Sequence, residues 1–213
     1  MNALVLDSTV WKTSRTVGLF LPINGEPDIT PLVHEAMLQG KRVLLPRVTG
    51  KNAEDMTMLF LEDIKELDLF VSSKYGVREP PFEVLFGPRK GARRIAWDEE
   101  IKFNSTINGE VANSVSNEIG SVQNIDLLVV PGVAFDASCN RLGHGKGYYD
   151  SFIRRNQTVQ ARDTRQSGKS TFLIGVALNE QLIEEVPHDD RDMRLDAIVC
   201  ECRGIIKKDV SST

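Results

Sequence analysis

The sequence predicts an α/β protein of three layers, a mainly parallel sheet covered by helices on both faces. Three observations carry that reading. Short apolar runs alternate with stretches of helical periodicity along the chain. One run, "IDLLVVP" (125–131), is apolar apart from Asp126, as expected of a central parallel strand. Near the start, strand, helix and strand fit within about thirty residues, the dimensions of a βαβ unit with its right-handed crossover.

The first strand is "TVGLFLP" (16–22), ended by Pro22, and "NGEPDIT" after it is turn chemistry. Thr30 is placed to cap a helix with Pro31 at its first position. In "PLVHEAMLQ", Leu32, Val33, Ala36 and Met37 share one face, His34 lies on the surface, and Gly40 ends the helix. "KRVLLP" (41–46) is the second strand and "MTMLFL" (56–61) the third, with a helical turn in "EDIKELDLF". From Ser72 to about Gly120 the signal fades into loops, with a mobile insertion expected at 104–121. After the run at 125–131, "GYYDSFIRR" reads as a helix with Tyr149, Phe152 and Ile153 on one face. "ARDTRQSGKS" is a polar connection, "TFLIGVAL" a strand, "NEQLIEEV" a short helix and "LDAIVCE" the last strand.

At 213 residues, with 41% hydrophobic and 26% charged side chains, one domain can bury a core without disulfides or a structural metal. A net charge of -4 argues against nonspecific nucleic-acid binding. No run approaches the roughly 20 apolar residues of a membrane helix, so no membrane partner is expected. The N-terminus lacks the pattern of a signal peptide. Three cysteines, an odd number, suit a reducing compartment. The expectation is a cytoplasmic monomer, with a mitochondrial location left open. Alternation puts Cys200 and Cys202 on one face of a strand as buried thiols.

"SGKST" (167–171) ends like a Walker A loop, but that pattern needs glycine at 163, where the chain has Asp163. "RLGHGKGYYD" (141–150) is the stronger candidate. Gly143, Gly145 and Gly147 let backbone N–H groups approach an anion, and Lys146 adds a point charge. Arg141 can bind phosphate through two N–H groups, and the following helix points its positive end at the same place. A flexible connection is the competing reading, and spacing alone names no nucleotide. Asp150 fits either a Mg²⁺ ligand beside phosphates or a first-turn helix acid. In "PHDDRDMRLD" (187–196), Asp189, Asp190, Asp192 and Asp196 are solvated loop residues unless the strands bring that loop beside the first. Glu26 ends the first strand at the same sheet edge, where a turn acid ordinarily faces solvent.

The segment "PGVAFDASCNRLGHGKGYYDSF" (131–152) resembles the signature of the 5-formyltetrahydrofolate cyclo-ligase family, PG-x-x-FD followed by RLG-x-G-x-GYYD. The resemblance extends to "GLFLPINGEPDITPLVHEAMLQGKRVLLPRV", "YGVREP" and "VPHDDRDMRLDAIV", covering about residues 17 to 200. It implies an ATP- and Mg²⁺-dependent conversion of 5-formyltetrahydrofolate, with or without a polyglutamate tail, into 5,10-methenyltetrahydrofolate, ADP and phosphate. In the family's mechanism the formyl oxygen attacks the γ-phosphate, N10 closes the ring, and phosphate leaves. By position, Arg141, Leu142, Gly143, His144, Gly145, Lys146, Gly147, Tyr148 and Tyr149 match the ATP loop, with Lys146 and Arg141 nearest the phosphates. His144, Gly145, Lys146, Gly147 and Tyr148 also border the folate, with Leu21, Glu26 and Tyr75. Phe20 is a further candidate for pterin packing. Lys146, Glu26 and Tyr149 are implied as catalytic, and Asp150 and Asp192 as the Mg²⁺ ligands. His144 departs from the family, many of whose members carry another residue there, often arginine. Members usually begin with a basic K-x-x-L-R helix that adds ATP contacts, and "MNALVLDSTVWKTSR" has no such motif. A single domain over 1–213 without that helix is therefore expected, either with weakened ATP binding or from a sequence whose recorded start is late. Two other readings stay open: a non-catalytic folate- or nucleotide-binding member of the same fold, and a sugar-phosphate isomerase-like protein needing neither ATP nor Mg²⁺.

Overall fold

The computed structural model describes residues 1–72, 76–79, 125–162 and 170–208. Its centre is a seven-stranded sheet in the order β11-β10-β9-β6-β1-β2-β3. Five neighbouring strands run parallel: β10 (Ala197–Cys200), β9 (Phe172–Ala177), β6 (Leu127–Val130), β1 (Thr16–Gly18) and β2 (Arg42–Val48). Antiparallel β3 (Met56–Leu61) and β11 (Gly204–Lys207) close the two edges. β11 was not legible in the sequence, because "GIIK" is too short and too exposed to stand out from a turn. Two small hairpins complete the strands: β4 (Val71–Ser72) with β5 (Arg78–Glu79), and β7 (Ala134–Phe135) with β8 (Arg141–Leu142).

The three layers follow from alternation along the strands. Leu127 and Val129 of β6 face one core with Val43 and Leu45 of β2 and Ile174 and Val176 of β9. Leu128 and Val130 face the other with Leu44, Leu173 and Ile198. The first face is covered by α3 (Thr30–Leu38), through Leu32, Val33 and Ala36, and by two short helices, α1 (Asn2–Asp7) and α2 (Thr9–Thr13). The second is covered by α4 (Tyr148–Arg162), through Phe152 and Ile153. The predicted fold class therefore holds.

Several local expectations are corrected. Thr30 begins α3 rather than capping it; Asp28 Oδ1 accepts the Thr30 N–H at 2.9 Å, one residue upstream of the Ile29 N-cap. The helix predicted for "NEQLIEEV" shrinks to a 3-10 turn, Asn179–Gln181, after which Leu182 bridges to Phe135 in extended form. The helix α1–α2 region was not forecast. Ser8 caps α2, and buried Trp11 anchors it through a 3.2 Å bond from Nε1 to Gln39 Oε1. Cys202 lies in the turn after β10, exposed, whereas Cys200 is buried in the strand. The insertion at 104–121, Tyr75 and residues 163–169 fall outside the described residues.

The loop after β6 is held by one buried carboxylate. Asp136 Oδ1 accepts the N–H groups of Ser138 (2.9 Å) and Asn140 (3.0 Å). Its Oδ2 accepts Asn140 Nδ2 (2.9 Å) and the Val186 N–H (3.0 Å). Burial alone would raise its pKa, but these four donors outweigh it and hold the group below the ordinary value of 3.8. A folded-state pKa below the unfolded one adds stability above the unfolded value, lost as pH falls through the folded value. Asp136→Asn should cost at least about 2 kcal/mol at neutral pH, since hydrogen bonds to a charged group are lost. Urea midpoints of the two proteins should converge in acid; a gap independent of pH would refute this account.

Candidate functional site

The chain crosses from β1 through α3 to β2 in one direction, and from β6 through α4 to β9 in the other. The sheet order therefore reverses between neighbouring β1 and β6, and a crevice opens at their carboxyl ends, the usual ligand position in such sheets. Glu26 follows β1 and the glycine-rich loop follows β6, so the two sequence candidates stand on opposite lips of one crevice. His144 Nε2 lies 4.0 Å from Glu26 Oε1.

Glu26 is not the solvent-facing turn acid of the sequence reading: only 9% of its side chain is exposed. The Ile23 N–H donates to Oε2 at 3.0 Å, fixing the carboxyl in its turn. Burial holds its pKa above 4.5, against the opposing pull of that N–H and of His144. Tyr149 is its neighbour in the electrostatic sense. Burial pushes the phenol pKa upward, and the Glu26 charge pushes the same way against Arg141.

Gly145 (φ 78°) and Gly147 (φ 67°) adopt the left-handed backbone that only glycine takes without strain. Between them Lys146 is exposed, as is His144. Gly147 leads into α4, whose 15 residues direct a positive helix end at the loop. The hairpin between β2 and β3 closes one side, with the Tyr148 hydroxyl donating to Gly50 O at 3.0 Å. Leu142, the last residue of β8, is exposed at the start of the loop.

The sequence reading puts Arg141 and Lys146 together beside phosphate; the structure separates them. Arg141 is buried beneath the loop, its NH2 2.8 Å from Asp150 Oδ2 and its guanidinium 5.8 Å from the Tyr149 ring centre. A Cβ placed on Gly143 would lie 2.6 Å from Arg141 NH1, so the loop backbone rests on the guanidinium and position 143 must stay small. Arg141 Nε is buried with no hydrogen-bond partner among the described residues.

Asp150 also accepts the Met193 N–H at 3.0 Å on Oδ1, which brings the acidic loop against the start of α4. Asp192 adjoins that contact and is exposed, its Oδ2 accepting the Asp189 N–H at 2.8 Å. Among the described residues no three His, Cys, Asp or Glu side chains gather to enclose a metal. Asp150, with Asp192 in the loop that touches it, nevertheless offers the one or two carboxylates that Mg²⁺ takes when phosphate and water complete its shell. Phe20 and Leu21 are both buried in the core on the α3 face. Among the described residues no helix is long and apolar enough to cross a membrane.

Two contributors escaped the sequence reading. The first is Asp136, whose signal was the Asp-x-x-x-Asn spacing of an Asx-type turn. The second is Gln181, with no local signal at all. Its Nε2 donates to Gly132 O (2.8 Å) and, more weakly, to Gly25 O (3.3 Å), while Oε1 accepts the Leu178 N–H (2.8 Å). One amide thus ties the loop that carries Glu26 to the loop that carries Lys146.

The Glu26 environment makes a testable statement. A carboxyl whose folded pKa is raised stabilises the fold fully below its unfolded pKa and loses that contribution as pH rises through the folded value. Glu26→Gln removes the titration, so its stability should gain on the wild type as pH rises from about 4 to about 7. Denaturant midpoints across that range measure it, and a constant difference would remove Glu26 from the crevice wall.

Comparison with known proteins bears on the family and the fold. The model of the 5-formyltetrahydrofolate cyclo-ligase family matches residues 2–93 and 88–201. A Schizosaccharomyces pombe protein named "Probable 5-formyltetrahydrofolate cyclo-ligase" is 30% identical over 198 residues, covering 92% of this chain and 79% of its own. A mouse 5-formyltetrahydrofolate cyclo-ligase is 25% identical over 197 residues, covering 92% and 78% respectively. The solved 5,10-methenyltetrahydrofolate synthetase of Aquifex aeolicus superposes with a TM-score of 0.57 at 26% identity, covering 100% of this chain and 81% of that one. On the family match and on the fold, the chain belongs to the 5-formyltetrahydrofolate cyclo-ligase family.

Proposed function

We propose that this protein converts 5-formyltetrahydrofolate into 5,10-methenyltetrahydrofolate, using ATP and Mg²⁺ and releasing ADP and phosphate. The observation that carries the proposal is the meeting of Glu26 and the Lys146 loop across the β1–β6 crevice. A folate on the Glu26 side and a triphosphate on the loop side would present the formyl oxygen to the γ-phosphate.

The residues divide the work by their environments. Lys146, exposed at the loop tip, supplies the mobile positive charge for the transferring phosphoryl group. The N–H groups around Gly143, Gly145 and Gly147 and the first turn of α4 add fixed dipoles aimed at the same oxygens. Phosphoryl transfer needs positioning and charge neutralisation more than a covalent nucleophile, so such a set suffices. Arg141 acts from below, supporting the loop and the Asp150 carboxylate. Asp150 and Asp192 would hold Mg²⁺, which when bound neutralises phosphate charge.

On the other lip, Glu26 Oε2 is tied to its own turn, leaving Oε1 toward His144 to orient the formyl-bearing end of the folate. Tyr149, kept protonated by burial, retains a hydroxyl proton to donate, which suits an oxygen gaining negative charge. His144, Gly145, Gly147 and Tyr148 form the rim between the two ligands. Leu21 backs the folate end from the core, and Leu142 lies on the loop's flank. In the reaction the formyl oxygen bonds to the γ-phosphorus as ADP departs; N10 then attacks the activated carbon and loses its proton to solvent, and the carbon–oxygen bond breaks to release phosphate.

The test mixes protein, 5-formyltetrahydrofolate and Mg-ATP and follows the near-ultraviolet absorbance of the methenyl product. ATP-dependent product is expected; none at high enzyme and ATP concentrations would overturn the proposal. Lys146→Ala should raise the KM for ATP at least tenfold, from loss of a charge-assisted contact of about 1.5–3 kcal/mol. An unchanged ATP requirement would remove Lys146 from the phosphate site.

A further inference from the structure

The C-x-C pair has no part in the proposed reaction, yet the fold brings its sulfurs together. Cys200, the last residue of β10, is fully buried; Cys202, in the turn to β11, is exposed. Their Sγ atoms are 3.0 Å apart, within hydrogen-bonding contact and about 1 Å beyond a covalent S–S bond. The exposed member is flanked by the exposed side chains of Glu201 and Arg203, so small solutes reach it directly. The buried member puts a second sulfur within 3.0 Å of the first.

We propose that Cys202 and Cys200 form a thiol–disulfide exchange site for small-molecule disulfides, closing to an intramolecular Cys200–Cys202 disulfide. Cys202 gives its proton to solvent and its sulfur attacks the disulfide R–S–S–R, forming a mixed disulfide and expelling one RS⁻. Cys200 then passes its proton to the expelled RS⁻ and, as the thiolate, attacks Cys202 Sγ, breaking the mixed disulfide and expelling the second RS⁻. Two cysteine thiols are oxidised and one small disulfide is reduced to two thiols. Electrostatics favour the second step, the attack by Cys200, over the first. Burial raises the Cys200 pKa, but the Cys202 thiol, the Arg203 and Cys202 N–H groups and the Arg203 charge outweigh it and lower the net value. The Cys202 pKa is raised, chiefly because its thiol hydrogen-bonds to Cys200.

The site is joined to the crevice. Asn179 Oδ1 accepts from Cys200 Sγ (3.2 Å) and from the Cys202 N–H (3.2 Å). Asn179 opens the 3-10 turn whose last residue is Gln181, the amide that ties both crevice loops. Closing the disulfide removes one of the two donors holding that turn.

The experiment titrates the full chain with oxidised glutathione and reads intact mass, before and after dithiothreitol. The wild type should lose two hydrogens, reversibly, without a retained adduct. Cys200→Ser should accumulate one glutathione on residue 202, and Cys202→Ser should show neither change. A wild type that stays reduced, or that keeps a glutathione on Cys202, would overturn the proposal. Amide hydrogen exchange over Leu178–Leu182 should quicken in the oxidised wild type; unchanged exchange would overturn the link to the crevice. Neither readout depends on folate turnover, so their outcome is separate from that of the functional proposal.

Discussion

The site depends on a buried carboxylate that is kept charged. Asp136 is 2% exposed, and a charge in that position is tolerable only with its hydrogen bonds satisfied. Four N–H donors from Ser138, Asn140 and Val186 do this, and in doing so they fold the segment between β6 and α4 back on itself. The small β7–β8 hairpin, the place of Arg141 and the start of the glycine loop all follow from that closure. Because one donor comes from Val186, the same carboxylate also draws in the acidic loop that contributes Asp192.

A second buried charge supports the loop from below. Arg141 pairs with Asp150 at 2.8 Å while the backbone of Gly143 lies against its guanidinium. Breaking such a pair leaves an uncompensated charge in the interior, which costs more than forming the pair contributes. The loop is therefore rigid at its base and exposed at its tip, where Lys146 stands between two left-handed glycines. In the proposed reaction, that combination lets Lys146 meet phosphate with little reorganisation.

The two lips of the crevice come from strands joined only through the sheet, so their spacing needs its own tie. The Gln181 amide supplies it, reaching Gly132 and Gly25 from the turn after β9. Three parallel strands, β1, β6 and β9, thus each send one carboxyl-end segment to the same place. The turn after β10 joins them through Asn179, whose Oδ1 accepts from Cys200 Sγ.

Much of this was legible in the sequence, and the reason is local. The continuous apolar run of β6, the βαβ spacing at the start, and the Gly-Lys-Gly pattern before an amphipathic helix are set by the conformational preferences of nearby residues. They sufficed for the three-layer fold and the candidate phosphate loop. The tertiary structure decided what depends on residues far apart in the chain. It buried Glu26, which by its turn composition belonged to solvent, and it turned Arg141 inward to Asp150. It placed Gln181, 156 residues from Gly25, between the two lips, and it set Cys202 outside the strand yet in contact with Cys200. Burial and long-range hydrogen bonding exist only once the sheet order is fixed, and no window of sequence carries that order.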